Sequence, residues 1–219
     1  MKTWLHPLKT SASLVSLGEQ WRAALGAGLG IALTGWVCQF LATQFGLNWP
    51  WLIAPLGASA VLVFAIHTSP MARPWAVIAG NTLSAVVGIA CLHSLGSSSW
   101  VGGLAVCLSI VVMFRLRCLH PPGGAIALLV VLSNESSYTF AIFPVFVNAL
   151  LLVALGALIN QMTGKSYPHR VVHEALSATT LTSELEQVLR KHNEVLDISV
   201  EDLQVLIDEV TQQHWNQRL

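Results

Sequence analysis

The sequence predicts an all-α polytopic membrane protein with six crossings arranged as a 3+3 inverted repeat. Two of the six are broken or short helices, and a short soluble α-helical tail follows. Three observations predict this. Of 219 residues, 54% are hydrophobic and 10% charged, with a mean hydropathy of +0.63, a balance outside the usual range of soluble domains. No Asp, Glu, Lys or Arg occurs from 23 to 72 or from 74 to 114, and only Glu19 and Glu135 of the eleven acidic residues precede position 170. Uncharged runs of that length are membrane spans rather than one buried core. The third observation is a repeat: Ala54-Pro55-Leu56-Gly57-Ala58-Ser59 resembles His120-Pro121-Pro122-Gly123-Gly124-Ala125. Asn81 follows Pro55 by 26 residues and Asn148 follows Pro121 by 27; Gly88 and Gly156 follow those asparagines by seven and eight. A Pro-x-Gly break repeated inside hydrophobic segments is the pattern of a transporter built from two halves.

The elements follow in order. Residues 1–16 are polar and mixed, carry no cleavable signal pattern, and are read as a cytoplasmic N-terminal segment. Ser16 and Glu19 are spaced as a capping box, which starts the first helix near residue 17. A transmembrane domain over 17–166 then holds hydrophobic segments at about 17–45, 51–67, 75–95, 100–116, 121–133 and 140–162. The connections are short, at 46–50, 68–74, 96–99 and 134–139. From Tyr167 a cytoplasmic helical tail reaches Leu219. In it Ser183 with Glu186 and Ser199 with Asp202 read as helix starts. Leu185, Val188 and Leu189 form one apolar stripe, and Leu203, Leu206, Ile207 and Val210 a second.

Loop charges set the topology. Lys2, Lys9 and Arg22 precede or open the first span; Arg73 lies between spans two and three, Arg115 and Arg117 between four and five, and Lys165 and Arg170 after six. The other three connections contain no Lys or Arg. Because basic residues favour cytoplasmic loops, six crossings with both termini cytoplasmic put every basic residue on one side. Trp21, Trp49, Trp51, Trp75 and Trp100, near segment ends, fit an interfacial aromatic belt.

An odd number of spans per half inverts the second half, so the two Pro-x-Gly elements enter from opposite faces. The fifth segment has thirteen residues, a rise of about 20 Å against a hydrocarbon core of roughly 30 Å. Extended residues at 51–54 and 117–120, about 3.3 Å each, cover the difference. Prolines push the residue before them out of the helical region and suit the first helical turn, so the two short helices begin inside the membrane, near Gly57 and Gly123. Helix N-termini carry unpaired N–H groups and about half a positive charge. Two of them facing a midplane cavity form an anion site without a charged side chain. The residues expected to bind substrate are Pro55, Leu56, Gly57, Ala58, Ser59, Asn81, His120, Pro121, Pro122, Gly123, Gly124, Ala125 and Asn148, with Arg115 and Arg117 at the pore mouth. The absence of Asp and Glu from the interior of the spans argues against a carboxylate-based cation site or proton relay.

Several of these residues have two roles open to them. His120 either contacts substrate or only hydrogen-bonds within its own loop. Asn81 and Asn148 line the site or satisfy broken backbone across helices. Pro121 and Pro122 shape the entry, and Arg115 and Arg117 draw anions or set topology. Gly26, Gly28 and Gly30 allow close helix packing. Cys38, Cys91, Cys107 and Cys118 have neither metal nor disulfide spacing and read as small hydrophobes. No nucleophile–base pair or metal cluster marks an enzyme, and neither cofactor nor nucleic acid is expected.

Arg115-Leu116-Arg117-Cys118-Leu119-His120-Pro121-Pro122-Gly123-Gly124-Ala125 resembles the signature of the HPP family of integral membrane proteins. Ala54-Pro55-Leu56-Gly57-Ala58-Ser59-Ala60, Ser69-Pro70 and Gly80-Asn81 resemble that family's other recurrent stretch, and the likeness covers about 21–168. The resemblance implies a multi-pass protein of bacteria and plastids, here expected in a bacterial inner membrane, with nitrite as the candidate anion. Many bacterial relatives carry two CBS domains after the membrane part, which this length is not expected to hold. The expected function is a transporter or facilitator of a small inorganic anion in the lipid bilayer, with a homodimer as a plausible assembly. The alternative is a non-transporting scaffold or regulatory protein acting through its tail.

Overall fold

The computed structural model describes residues 15–169, with Leu203 and Ile207 beyond them. The N-terminal segment up to residue 14 and nearly all of the predicted tail lie outside the described residues. The described chain forms six α-helices and no strand: α1 (Leu17–Phe45), α2 (Leu56–Ala65), α3 (Pro74–Leu95), α4 (Ser99–Arg115), α5 (Pro121–Leu132) and α6 (Val147–Met162).

Local chemistry accounts for the boundaries. Ser16 Oγ accepts from the Glu19 N–H at 3.3 Å and caps α1, while the Glu19 carboxylate turns to Arg22 instead of closing the capping box. Pro74 and Pro121 open α3 and α5, and the residues before them, Arg73 (ψ 146°) and His120 (φ −143°, ψ 104°), are extended as a following proline requires. α2 starts only at Leu56, not at 51: bends at Trp51 and Leu52 and a turn at Ala54 and Pro55 precede it, with the Leu56 and Gly57 N–H groups donating to Ile53 O and Ala54 O. Residues 51–54 are therefore not the extended stretch the sequence predicts, and at 117–120 Arg117 is left-handed (φ 52°), leaving His120 extended ahead of Pro121. The sixth segment departs from its prediction. Phe143 is extended (φ −126°, ψ 123°) ahead of Pro144, a wide π-type turn spans Ala141–Phe146, and regular helix resumes at Val147. Pro144 has no N–H to donate and crowds the preceding turn.

Three segments, Leu17–Phe45, Pro74–Leu95 and Ala141–Met162, are long and apolar enough to cross a membrane. α2, α4 and α5 are apolar but shorter, with 10, 17 and 12 residues, or about 15, 26 and 18 Å of helix.

The principal helix neighbours are α1 with α2 and α6; α3 with α4, α5 and α6; α4 with α5; and α2 with α5 and α6. Exchanging α1 with α4, α2 with α5 and α3 with α6 reproduces that set. The repeat glycines sit at matched seams: a Cβ on Gly88 of α3 would meet the Ala127 carbonyl of α5 at 2.9 Å, and one on Gly156 of α6 would collide with Val63 of α2. Small residues let these backbones close in. On α1, Gly26 and Gly30 lie under the Phe64 ring of α2, whereas Gly28 faces open space.

Contacts gather the helix ends on two faces. On one, Arg22 of α1 reaches Asn160 of α6 (2.8 Å) and the Phe64 carbonyl at the end of α2 (2.7 Å). There too the Tyr167 hydroxyl donates to Ala72 O (2.9 Å) and the Trp75 indole to Leu116 O (3.1 Å). Burial raises the Tyr167 phenol above its ordinary pKa and keeps it a donor. On the other face Trp49 packs edge-on against Phe140, His93 meets the Ser136 carbonyl, and Ser97 donates to Val131 O. The first face carries Arg22, Arg73, Arg115, Arg117 and Lys165; the loops at 46–50, 96–99 and 134–139 on the second carry no basic residue.

The basic face holds a polar network that loop charges alone do not reveal. Glu19 bonds Arg22 (2.6 Å) and Lys165 (3.1 Å), and Asn160 donates to Val63 O at 3.0 Å. Arg22 and Asn160 thereby satisfy two of the last carbonyls of α2, the groups every helix C-terminus leaves unpaired.

Candidate functional site

Of the predicted substrate residues, three side chains converge: Ser59 in α2, Asn81 in α3 and His120 at the N-cap of α5. All three are fully buried. His120 Nδ1 lies 2.9 Å from Met71 O, and Nε2 lies 2.8 Å from Ser59 Oγ. Asn81 Nδ2 donates to the same Ser59 oxygen at 3.2 Å. His120 therefore bonds across to α2 and to the 3₁₀ turn Pro70–Ala72 rather than within its own loop.

The carbonyl at one end orders the chain. Met71 O only accepts, so Nδ1 of a neutral His120 carries the proton and Nε2 accepts. Ser59 must then donate to Nε2, which leaves its oxygen to accept from Asn81. The last atom, Asn81 Oδ1, is buried and has no partner among the described residues. An unpaired buried acceptor of this kind costs about 1–3 kcal/mol and is a group that calls for a ligand, water or proton to explain it.

Other predicted residues serve differently. The N–H groups of Leu56, Gly57 and Ala58 donate to Ile53 O, Ala54 O and Pro55 O at 3.0–3.1 Å, and the Gly123 N–H donates to His120 O at 2.9 Å. The main-chain donors expected to face an anion are thus taken inside their own turns, and the convergent polar groups are side chains. Gly57 and Ala58 are exposed, with nothing near a Cβ at Gly57; Gly123 is buried, and a Cβ there would sit 2.8 Å from Gly80 O and Ser84 Oγ. Leu56 and Pro122 are buried, and Pro55 is half-buried. Pro121, Gly124 and Ala125 line an apolar groove of about 560 Å³ with Ile110 and Phe114 of α4. Arg115 and Arg117 are exposed on the basic face, where Arg117 takes a left-handed conformation (φ 52°) after α4.

Asn148 does not join the cluster. Its Oδ1 accepts from Ile53 N (3.3 Å) and its Nδ2 donates to Trp51 O and Cys38 Sγ (both 3.1 Å), so it holds the bent segment that leads into α2. Asn148→Leu should leave that backbone unpaired and cost about 1–3 kcal/mol. A drop in the Tm of the detergent-solubilised protein checks this.

The cluster also sits nearer one face than the midplane. Asn81 is seven residues into the 22-residue α3, about 10 Å from the basic end of a helix of about 33 Å.

Comparison with known proteins gives the chain its place. It is 38% identical over 125 residues to one transmembrane protein of Dictyostelium discoideum and 34% identical over 125 residues to another. Each match covers 53% of this chain and, respectively, 44% and 40% of the relative, so the chain spans less than half the length of the curated relatives it matches. No solved structure matches it. The family model described as "HPP, transmembrane region" matches residues 12–168, and the chain belongs to the HPP transmembrane family.

Proposed function

We propose that this protein is a transporter or facilitator of a small inorganic anion, nitrite being the candidate the family suggests, and that it handles the anion where Ser59, Asn81 and His120 meet. The observation that carries the reading is the convergence itself. Polar side chains from three elements meet, fully buried, inside an apolar bundle, and such residues within a membrane are expensive unless they serve a pathway. No Asp or Glu occurs between Glu19 and Glu135, so no interior carboxylate repels an anion. The substrate groups are hydroxyl, amide and imidazole rather than helix N-termini, because the turn N–H groups are already bonded.

The two-face contacts and the self-mapping neighbour set support a reading of six passes, with the irregular residues before α2 and α5 adding to the length of those short helices. Both described ends then lie on the basic face, cytoplasmic under the positive-inside rule, and a bacterial inner membrane is the setting the family's bacterial members suggest. Purified protein in lipid vesicles should take up nitrite faster than empty vesicles, with saturation. Absence of any uptake above empty vesicles for nitrite or nitrate would contradict the proposal.

A further inference from the structure

The hydrogen-bond chain Met71 O–His120–Ser59–Asn81 has a direction, and that direction decides which ligand it accepts. With His120 neutral, every donor points toward Met71 and the free end presents Asn81 Oδ1, a bare acceptor. A bare acceptor repels an anion. A proton on Nε2 makes both ring nitrogens donors. Ser59 Oγ then accepts from His120 and its own O–H is released to donate. The Asn81 amide turns over, so that Oδ1 accepts from Ser59 and the NH₂ group becomes the free end. The orphan acceptor disappears and a donor faces the anion, beside an imidazolium.

Among the described residues, the elements packed against His120 offer that imidazolium no carboxylate. α2 contains no titratable residue, the turn Pro70–Ala72 none, and α5 none; α3 contributes only Cys91 and His93 near its far end. Met113 of α4 and Cys118 of the loop border Gly80 beside His120. Against the turn lie Arg73, a cation that caps it through its N–H to Pro70 O, and Tyr167, which donates to Ala72 O. Opposite charges attract strongly where water is excluded, so proton and anion stabilise one another, and by linkage each raises the other's affinity by the same factor.

We infer that His120 carries a proton together with each anion, making the protein a proton–anion symporter that moves no net charge. In each turnover the imidazole gains one proton from the side where the anion enters and returns it, with the anion, to the other side. This inference rests on the transport reading above.

Its test counts protons in vesicles loaded with a pH-sensitive dye, at equal pH inside and out, with nitrite added outside and empty-vesicle rates subtracted to remove leakage of nitrous acid. One proton should enter per nitrite, uptake should not respond to an imposed membrane potential, and the rate should rise about ten-fold or more from pH 7.5 to 5.5. His120→Gln and Ser59→Ala should lose the proton movement. The count in the unaltered protein stands even if either variant misfolds. Nitrite uptake that follows the potential, with no lumenal acidification, overturns the symport inference and leaves transport standing. No uptake at all overturns both.

Discussion

An Arg22→Ala protein should be less stable by about 1–3 kcal/mol, the penalty for leaving buried acceptors without a partner, and its Tm in detergent should fall accordingly. The size of the effect comes from how many groups depend on one guanidinium. Arg22 bonds both carboxylate oxygens of Glu19, the amide oxygen of Asn160 and the carbonyl of Phe64. Alanine would strand all of them at the junction of α1, α2 and α6, with only Lys165 left to Glu19. Arg22→Lys keeps the charge but not the planar fork, so it should recover only part of the loss. If Arg22→Ala melted with the unaltered protein, the network would be a surface ornament and its role in closing α2 would be wrong.

Asn81→Leu should abolish most anion uptake, by at least ten-fold, while the protein remains folded. Leucine fills a similar volume, and replacing a polar group by an apolar one of like shape is often close to neutral for stability. Here it also removes the orphan Oδ1. A cluster that served only to hold helices together would behave in the opposite way, with lower stability and little change in rate among molecules that fold. Tm and uptake measured on one preparation separate the two.

Much of the architecture was legible in the chain. Prolines at 55, 74 and 121 mark where helices begin, because proline shapes the residue before it wherever it occurs. The spacing of Ser16 and Glu19 marks the start of α1. The gathering of Arg73, Arg115, Arg117 and Lys165 on one face follows from loop charges. The irregular turn at Ala141–Phe146 had its signal in Pro144, inside a run whose hydrophobicity alone reads as a continuous helix.

The site was less legible, for a physical reason. Sequence shows that a helix N-terminus has spare N–H groups but not whether the preceding turn consumes them, as it does at Gly57, Ala58 and Gly123. The two repeat asparagines look equivalent along the chain, yet Asn148 meets backbone and Asn81 meets a hydroxyl. Arg22 was read as a topological charge, although the three-residue spacing from Glu19 was the signal for a helical ion pair.

The measurement closest to the central claim is nitrite uptake by vesicles holding equal amounts of folded unaltered protein or folded Asn81→Leu. Saturable uptake in the first, reduced to near the empty-vesicle rate in the second, is the predicted result. Equal uptake by both would remove the Ser59–Asn81–His120 cluster from the anion's path.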